Sequence, residues 1–144
     1  GQQHTLTGAN DASALGFGNT ASGAQSLATG SNTVASGPEA TSFGLNTTAS
    51  GARAIAAGFN TVASGENSFV VGKWNLGGSN VFEVGVGTSN AARKNGLAVT
   101  ESGKIVMTDL GTSASYANDS EAEAGGVPRY GLYRNGNVVQ IRLT

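Results

Sequence analysis

The sequence predicts an all-β fold: a parallel β-roll, or solenoid, of 14-residue coils assembled as a trimer, followed by a small β-hairpin cap with one short helix. Three observations predict it. Gly16, Gly23, Gly30, Gly37, Gly44, Gly51, Gly58, Gly65 and Gly72 stand at an unbroken spacing of seven. Alternate heptads differ, so the true period is fourteen: Ser26-Leu-Ala-Thr-Gly30, Ala40-Thr-Ser-Phe-Gly44 and Ala54-Ile-Ala-Ala-Gly58 alternate with Thr33-Val-Ala-Ser-Gly37, Thr47-Thr-Ala-Ser-Gly51 and Thr61-Val-Ala-Ser-Gly65. Between the glycines the side chains alternate with a period of two, the pattern of a strand rather than a helix.

The spacing of seven is not a coiled-coil heptad. One glycine per heptad costs about 1 kcal/mol of helix stability relative to alanine, and the Leu/Ile seam and flanking charges of a coiled coil are missing. Short strands ended by the nine glycines as turn residues fit better. Two strands per 14 residues make one flattened coil. Coils then stack about 4.8 Å apart with their strands paired in parallel, and the glycine run makes four to five of them.

Parity sorts the side chains. Two and four residues before the glycines nearly all the residues are small: Ser26 and Ala28, Thr33 and Ala35, Ala40 and Ser42, Thr47 and Ala49, Ala54 and Ala56, Thr61 and Ala63. A flattened coil has room inside only for these. The intervening positions point outward. In one class of heptad they include Leu15, Leu27, Phe43, Ile55, Phe69 and Val71; in the other they are Ser22, Ser36, Ser50 and Ser64 with Thr20, Val34, Thr48 and Val62. One outer face is apolar and the other mostly hydroxyl. Soluble monomers seldom leave such an apolar stripe bare, so those six residues are expected at a trimer interface closed around an axis. Asn32-Thr33, Asn46-Thr47 and Asn60-Thr61 recur every coil, with Asn19-Thr20 one residue early; asparagine suits left-handed turns.

Three segments divide the chain: 1–11 as a lead-in, 12–87 as the roll and 88–144 as the cap. Only Asp11, Glu39, Arg53 and Glu66 are charged among residues 1–72, and every other charge lies beyond. The insert Lys73-Trp-Asn-Leu-Gly-Gly-Ser-Asn80 breaks the heptad, ends regular coiling and leaves Val81–Val86 as a last irregular turn with Phe82 in the core. Gly96–Thr100 and Lys104–Thr108 flank Glu101-Ser102-Gly103 as a hairpin. Asn118–Ala124 reads as a helical turn capped by Asn118 or Asp119 and stopped by Gly125. Gly131–Arg134 and Asn137–Leu143 flank Asn135-Gly136, a strong hairpin signal. Tyr130 and Tyr133 belong to its packing.

Composition narrows the function. Of 144 residues 23 are glycine, 12% are charged and two are proline. A net charge of −1 gives no field for nucleic acid or an anionic membrane. No apolar run reaches the length that spans a bilayer, so membrane insertion is not expected. There is no cysteine, hence no disulfide framework and no thiolate metal site. With His4 the only histidine and near a terminus, no catalytic constellation forms and no cofactor or metal is expected. Asp119, Glu121 and Glu123 read as an acidic helix start. Trp74, in a polar glycine-rich insert, and Tyr116, in a Ser/Thr/Ala loop, are the candidate receptor contacts.

Ala54-Ile-Ala-Ala-Gly58 and Thr61-Val-Ala-Ser-Gly65 resemble the head repeats of trimeric autotransporter adhesins, the YadA-like head, over about residues 12–85. The resemblance implies left-handed parallel β-rolls packed as trimers, with small residues inside and larger aliphatics between subunits. Gly125-Gly-Val-Pro128 and Gly131 to Thr144 resemble the closing segment of bacteriophage tail-fibre proteins, although Arg129 and Tyr130 stand where that family often has an aliphatic and a glycine. An adhesin head would be followed by a stalk and a membrane barrel, and this chain reads as the distal piece of something longer. The resulting expectation is a virion surface fibre, extracellular and non-enzymatic, a homotrimer that attaches multivalently to a host cell-surface glycan or protein receptor. The alternative is the head of an autotransporter adhesin on a bacterial surface. An ice-binding solenoid is more remote, because its regular outer positions would be threonine throughout.

Overall fold

A computed structural model of the protein describes residues 4–6, 10–108, 115–129 and 131–143. In chain order the strands are β1 (Thr5–Leu6), β2 (Ser13–Phe17), β3 (Thr20–Ala21), β4 (Leu27–Ser31), β5 (Val34–Ala35), β6 (Thr41–Leu45), β7 (Thr48–Ala49), β8 (Ile55–Phe59), β9 (Val62–Ala63), β10 (Phe69–Lys73), β11 (Phe82–Val86), β12 (Asn95–Val99) and β13 (Ile105–Met107). Helix α1 (Asp119–Ala124) and the hairpin β14 (Leu132–Asn135) and β15 (Val138–Ile141) follow. The fold is all-β: a β-solenoid of about six turns built from 14-residue coils, one short helix and a small antiparallel hairpin. The chain divides into two compact units between Val106 and Met107.

Each of the first five coils contributes one five-residue and one two-residue strand, and the sixth only the five-residue β11. The five-residue strands β2, β4, β6, β8, β10 and β11 stack in parallel as a wide sheet, and the two-residue strands β1, β3, β5, β7 and β9 form a narrow one. Register is 14 residues per step, as in Leu27↔Thr41 and Thr41↔Ile55. The interior follows the parity of the sequence. Ala28, Ala35, Ala40, Ser42, Thr47, Ala49, Ala54, Ala56 and Thr61 have no accessible surface. Such a core buries little area per residue, so the repeated backbone pairing between coils carries much of the cohesion.

The glycines do different work from that expected. Gly16, Gly30, Gly44, Gly58 and Gly72 are not turn residues; they lie inside the wide-sheet strands, with φ between +99° and +122°. Their role is close stacking: a Cβ on Gly30 would stand 2.1 Å from the Gly44 carbonyl oxygen one coil below. The second series, Gly23, Gly37, Gly51 and Gly65, does sit at bends but without positive φ. A Cβ on Gly37 would meet the Gly51 oxygen at 2.1 Å.

The left-handed turns fall to other residues. Asp11, Gln25, Glu39, Arg53 and Asn67 line one corner and Asn32, Asn46, Asn60 and Trp74 the other, all with φ between +40° and +59°. This conformation costs an L-residue about 1–2 kcal/mol. From Gln25 onward it turns each corner N–H onto a carbonyl of the preceding coil: Glu39 donates to Ala24 at 2.7 Å and Asn46 to Ser31 at 2.9 Å. The inter-coil ladder therefore continues round both corners, and each turn's strain is offset by a bond. Asn19 is not an early member of the asparagine series. Gly18 takes that corner, with φ +63°, and Asn19 takes the interior place that threonine holds at 33, 47 and 61. There its amide donates to Leu15 O at 2.7 Å and Gly30 O at 2.9 Å, and its oxygen accepts from both the N–H and hydroxyl of Thr33.

Regular coiling does not stop at Lys73. β11 pairs β10 in parallel through five registered residues, Phe69↔Phe82 to Lys73↔Val86. The insert is the narrow side of a sixth coil, one residue shorter than the others. Only then does the sheet change direction. β12 pairs β11 antiparallel, with an irregularity between Val84 and Gly85, and β13 is the outermost strand beside β12. The expected boundary at 87/88 thus falls inside a continuous sheet; the second half contributes β12 and β13 to the solenoid's own closing edge, which moves the division to Val106/Met107. The hairpin turn at Glu101-Ser102-Gly103 is where the sequence placed it, closed by Thr100 N–H to Lys104 O at 2.9 Å.

In the second unit Asn118 caps α1, accepting the Glu121 N–H at 3.0 Å. Gly125 ends the helix, its N–H reaching Glu121 O at 3.0 Å. The β14–β15 turn lies one residue later than the Asn135-Gly136 signal: Asn135 pairs with Val138, leaving Gly136-Asn137 as the two-residue loop. Tyr133 is in the core, as expected, at 4% exposure; Tyr130 lies outside the described residues.

Gly44→Ala is expected to abolish the cooperative melt of the roll, since the added methyl cannot avoid Gly58 O at 2.1 Å. Gly103→Ala, also at positive φ but with open space around it, should cost only about 1–2 kcal/mol. Thermal denaturation followed by circular dichroism separates the two; equal losses would show that stacking distance is not what the strand glycines serve.

Candidate functional site

The outward side of the wide sheet is the candidate site. Its residues form three columns running across the coils. The first holds Ser13, Leu27, Thr41, Ile55, Phe69 and Phe82 in direct register. The second begins at Leu15 and continues through Thr29, Phe43 and Ala57; in the lower coils Val71 pairs with Val84. The third holds Phe17, Ser31, Leu45, Phe59, Lys73 and Val86. All six residues expected at a trimer interface lie on this side. In the single chain Leu15 is 70% and Phe43 44% exposed, Leu27 and Phe69 are also exposed, and Ile55 and Val71 are half-buried.

Parity reasoning missed the third column because it ended each strand at the glycine. The signal was present: Phe17, Leu45 and Phe59 each follow the strand glycine directly. Phe82, expected in the core, is half-buried on the outward side and packs against Phe69 with ring centroids 5.8 Å apart. The change follows from the parallel pairing of β11, which places Phe82 in the outward column. Leu97 and Val99, paired with Val84 and Phe82, carry the apolar face onto β12.

The narrow sheet differs. Val34, Thr48 and Val62 are half-buried, while Ser36, Ser50 and Ser64 are exposed. At its lower end Gly78 of the insert meets Ser64, whose hydroxyl donates to Gly78 O at 3.0 Å.

Trp74 is half-buried at the corner that asparagine fills in the coils above, with φ +40°. A bulky residue there carries backbone strain of about 1–3 kcal/mol. Its indole meets the Phe59 ring edge-on at 4.5 Å. The Arg93 guanidinium braces the same corner through Asn60 O and Asn75 O, both at 3.1 Å. Tyr116, the other candidate contact, belongs to the second unit. It is half-buried with its ring 6.4 Å from that of Tyr133.

Sequence reasoning did not single out Glu83, which is 1% exposed. Its Oε2 accepts from the Asn75 side-chain amide and from Gly77 N at 3.3 Å; its Oε1 accepts from Asn80 at 2.7 Å. Asn75 also bonds both backbone groups of Val62 at 2.8 Å. A buried carboxylate is tolerated only when such donors replace water. Here it ties the insert to the last coil. The cue in the sequence was an acid at an interior parity position, Val-Phe-Glu-Val.

The acids of α1 are engaged by the protein itself. Asp119 accepts the Tyr133 hydroxyl and the Leu143 N–H, each at 2.9 Å. Glu121 accepts Ala117 N–H at 2.9 Å, and Glu123 pairs with Arg142 at 2.9 Å. His4 is half-buried just before β1. Among the described residues no three His, Cys, Asp or Glu side chains are grouped to hold a metal ion, and no helix is long and apolar enough to cross a membrane.

The family model for the YadA head domain repeat, in two copies, matches residues 8–33, 28–54, 35–61 and 49–73. Residues 8–73 carry YadA head repeats. They take in the solenoid from β2 to β10, and the overlapping matches step along the same repeat that the register displays. β11, the sixth wide strand, lies beyond them. No curated protein and no solved structure matches the chain. The comparisons lend no support to a tail-fibre relationship for residues 125–144.

Two outcomes are expected. Glu83→Leu should lower stability by about 2 kcal/mol by removing the acceptor of one buried and two part-buried donors, while Glu83→Gln, able to accept still, should cost less; faster amide hydrogen exchange at Gly77 in the Leu variant checks the mechanism. In the second unit, burial, and then the hydrogen bond and negative charge of Asp119, push the Tyr133 phenol above its usual 10.0. Stability from the neutral phenol is therefore complete below pH 10 and lost as pH rises through the higher folded value. An absorbance titration at alkaline pH should show ionisation of Tyr133 coinciding with loss of the unit's structure, and Tyr133→Phe should remove that step.

Proposed function

We propose that the chain is the head of a trimeric, autotransporter-adhesin-like surface protein, and that it acts outside the cell by multivalent attachment without making or breaking a covalent bond. The observation that carries this reading is the asymmetry of the YadA head repeats. Their interior is filled by Ala, Ser and Thr, while one outward face alone presents Leu15, Leu27, Phe43 and Phe69 to the surroundings. A face of this kind is a partner surface, and a repeat with cyclic symmetry closes it without leaving a margin bare.

In this reading the structure serves as a rod. Three copies cover one another's apolar faces and leave the hydroxyl-bearing narrow sheets outside. Trp74 and Tyr116 are the candidate contacts to a host cell-surface glycan or protein; each is half-buried, and Trp74 is held in a strained corner. Three identical contact sets per rod raise avidity in place of single-site affinity. The adhesin reading is preferred to the virion-fibre one because the family match falls on the head repeats and none supports the terminal segment.

Light scattering of the purified protein should give about three chain masses. Phe43→Asp, which places a carboxylate on the apolar face, should reduce this to one. A wild-type protein that is monomeric at working concentration, or a Phe43→Asp protein of unchanged mass, would remove the basis for the reading.

A further inference from the structure

Lys73 interrupts the apolar face. It stands in the third outward column, in register with Phe59 on one side and Val86 on the other. Its ammonium has no acceptor within the described chain, although it is the one charge in any of the three columns from β2 to β11. At the opposite margin of the same coil, three residues before Phe69, the turn carries Glu66. Glu66 Oε1 is held by Arg53 of the coil above; its Oε2 has no partner among the described residues. Within a chain Lys73 and Glu66 cannot meet, because strand β10 lies between them and spans about 13 Å.

Resting on the trimeric reading above, we propose that Lys73 of one copy pairs with Glu66 of the next, so that three such ion pairs lock an in-register, parallel assembly. Rotation about an axis parallel to the stack keeps every residue at its own height. It therefore brings the first-column margin of one copy against the third-column margin of its neighbour, coil on the same coil. Side-chain sizes in the first three coils fit that pairing independently of charge. In the first coil Ser13 is small where Phe17 is large; in the second Leu27 is large where Ser31 is small; in the third Thr41 is small where Leu45 is large. Each of these three layers thus sets one bulky side chain against one small one; the fourth, Ile55 with Phe59, is bulky at both margins. In the fifth coil the margins are Phe69, with Glu66 beside it, and Lys73. An aliphatic stem can cover the Phe69 ring while its ammonium reaches the carboxylate. An antiparallel pairing would instead bring Lys73 to a different height and leave its charge unanswered.

The test is zero-length carbodiimide coupling of the native protein, which joins an amine to a carboxylate only in contact, followed by peptide mapping. A Glu66–Lys73 amide is expected, together with a covalent ladder up to three chains on a denaturing gel. That linkage should be lost in Lys73→Met and in Glu66→Gln, while sedimentation checks that each variant still assembles. Three exposed-margin pairs imply that Lys73→Met raises the trimer dissociation constant about 10- to 100-fold, and that combining it with Glu66→Gln adds little more. A wild type that sediments as a trimer but yields no Glu66–Lys73 linkage overturns the pair and leaves the trimer standing. A wild type that sediments as a monomer removes both. Fully additive single and double variants also overturn the pair, since positions this far apart in one chain couple only across copies.

Discussion

The separation between successive coils, one inter-strand hydrogen bond, governs nearly everything else in this solenoid. At that spacing a Cβ on a strand glycine would lie about 2 Å from the next coil's carbonyl oxygen, so glycine recurs wherever two backbones stack without a side chain between them. The same spacing obliges the corners to hand their N–H groups from coil to coil, and a left-handed turn is what aims them. Between Asn19 and the closing coil the interior is then too thin for anything larger than Ala, Ser, Thr or Val. The larger apolar groups are forced outward. The exposed face is thus a consequence of how tightly the roll is wound.

Much of this was legible in the sequence because stacked repeats write their geometry as spacing. The interior residues follow directly from alternation, and the burial of Ala28, Ala35, Ala49 and Ala56 agrees with it. Two inferences failed for a shared physical reason. Glycine was taken to mean a turn, whereas here it means close approach; Gly44 lies in the middle of β6 with φ +121°. Ending the strands early then hid Phe17, Leu45 and Phe59. The left-handed residues were hard to find because glutamine, glutamate and arginine at 25, 39 and 53 carry no conformational signature. The backbone bond each makes to the previous coil keeps it there.

The lower end of the roll was the least legible part. Lys73 to Asn80 lacks the heptad glycine, yet it follows the coil path, closed by Asn75, Asn80 and Glu83 in place of small residues. Polar side chains at interior parity positions mark where a solenoid must stop satisfying itself by stacking alone. Asn19 does the same near the upper end, bonding Leu15, Gly30 and Thr33. The threonines at 33, 47 and 61 between these asparagines form the uniform middle. Trp74, replacing asparagine at a corner, belongs to the same transition, since its ring rests on Phe59 rather than on a further repeat.

The uniform middle has a genetic consequence. From β2 to β10 each coil contacts only the coil before and the coil after, and a coil is a whole number of codons. Unequal recombination between coils that share the Asn-Thr and Ala-Ser-Gly positions can therefore insert or remove one without shifting the reading frame, disturbing the asparagine-lined ends or exposing a new seam. Each such event alters the reach of the rod by one rung, about 4.8 Å. Length is thereby a heritable quantity of this molecule that can drift independently of whatever its extremities hold.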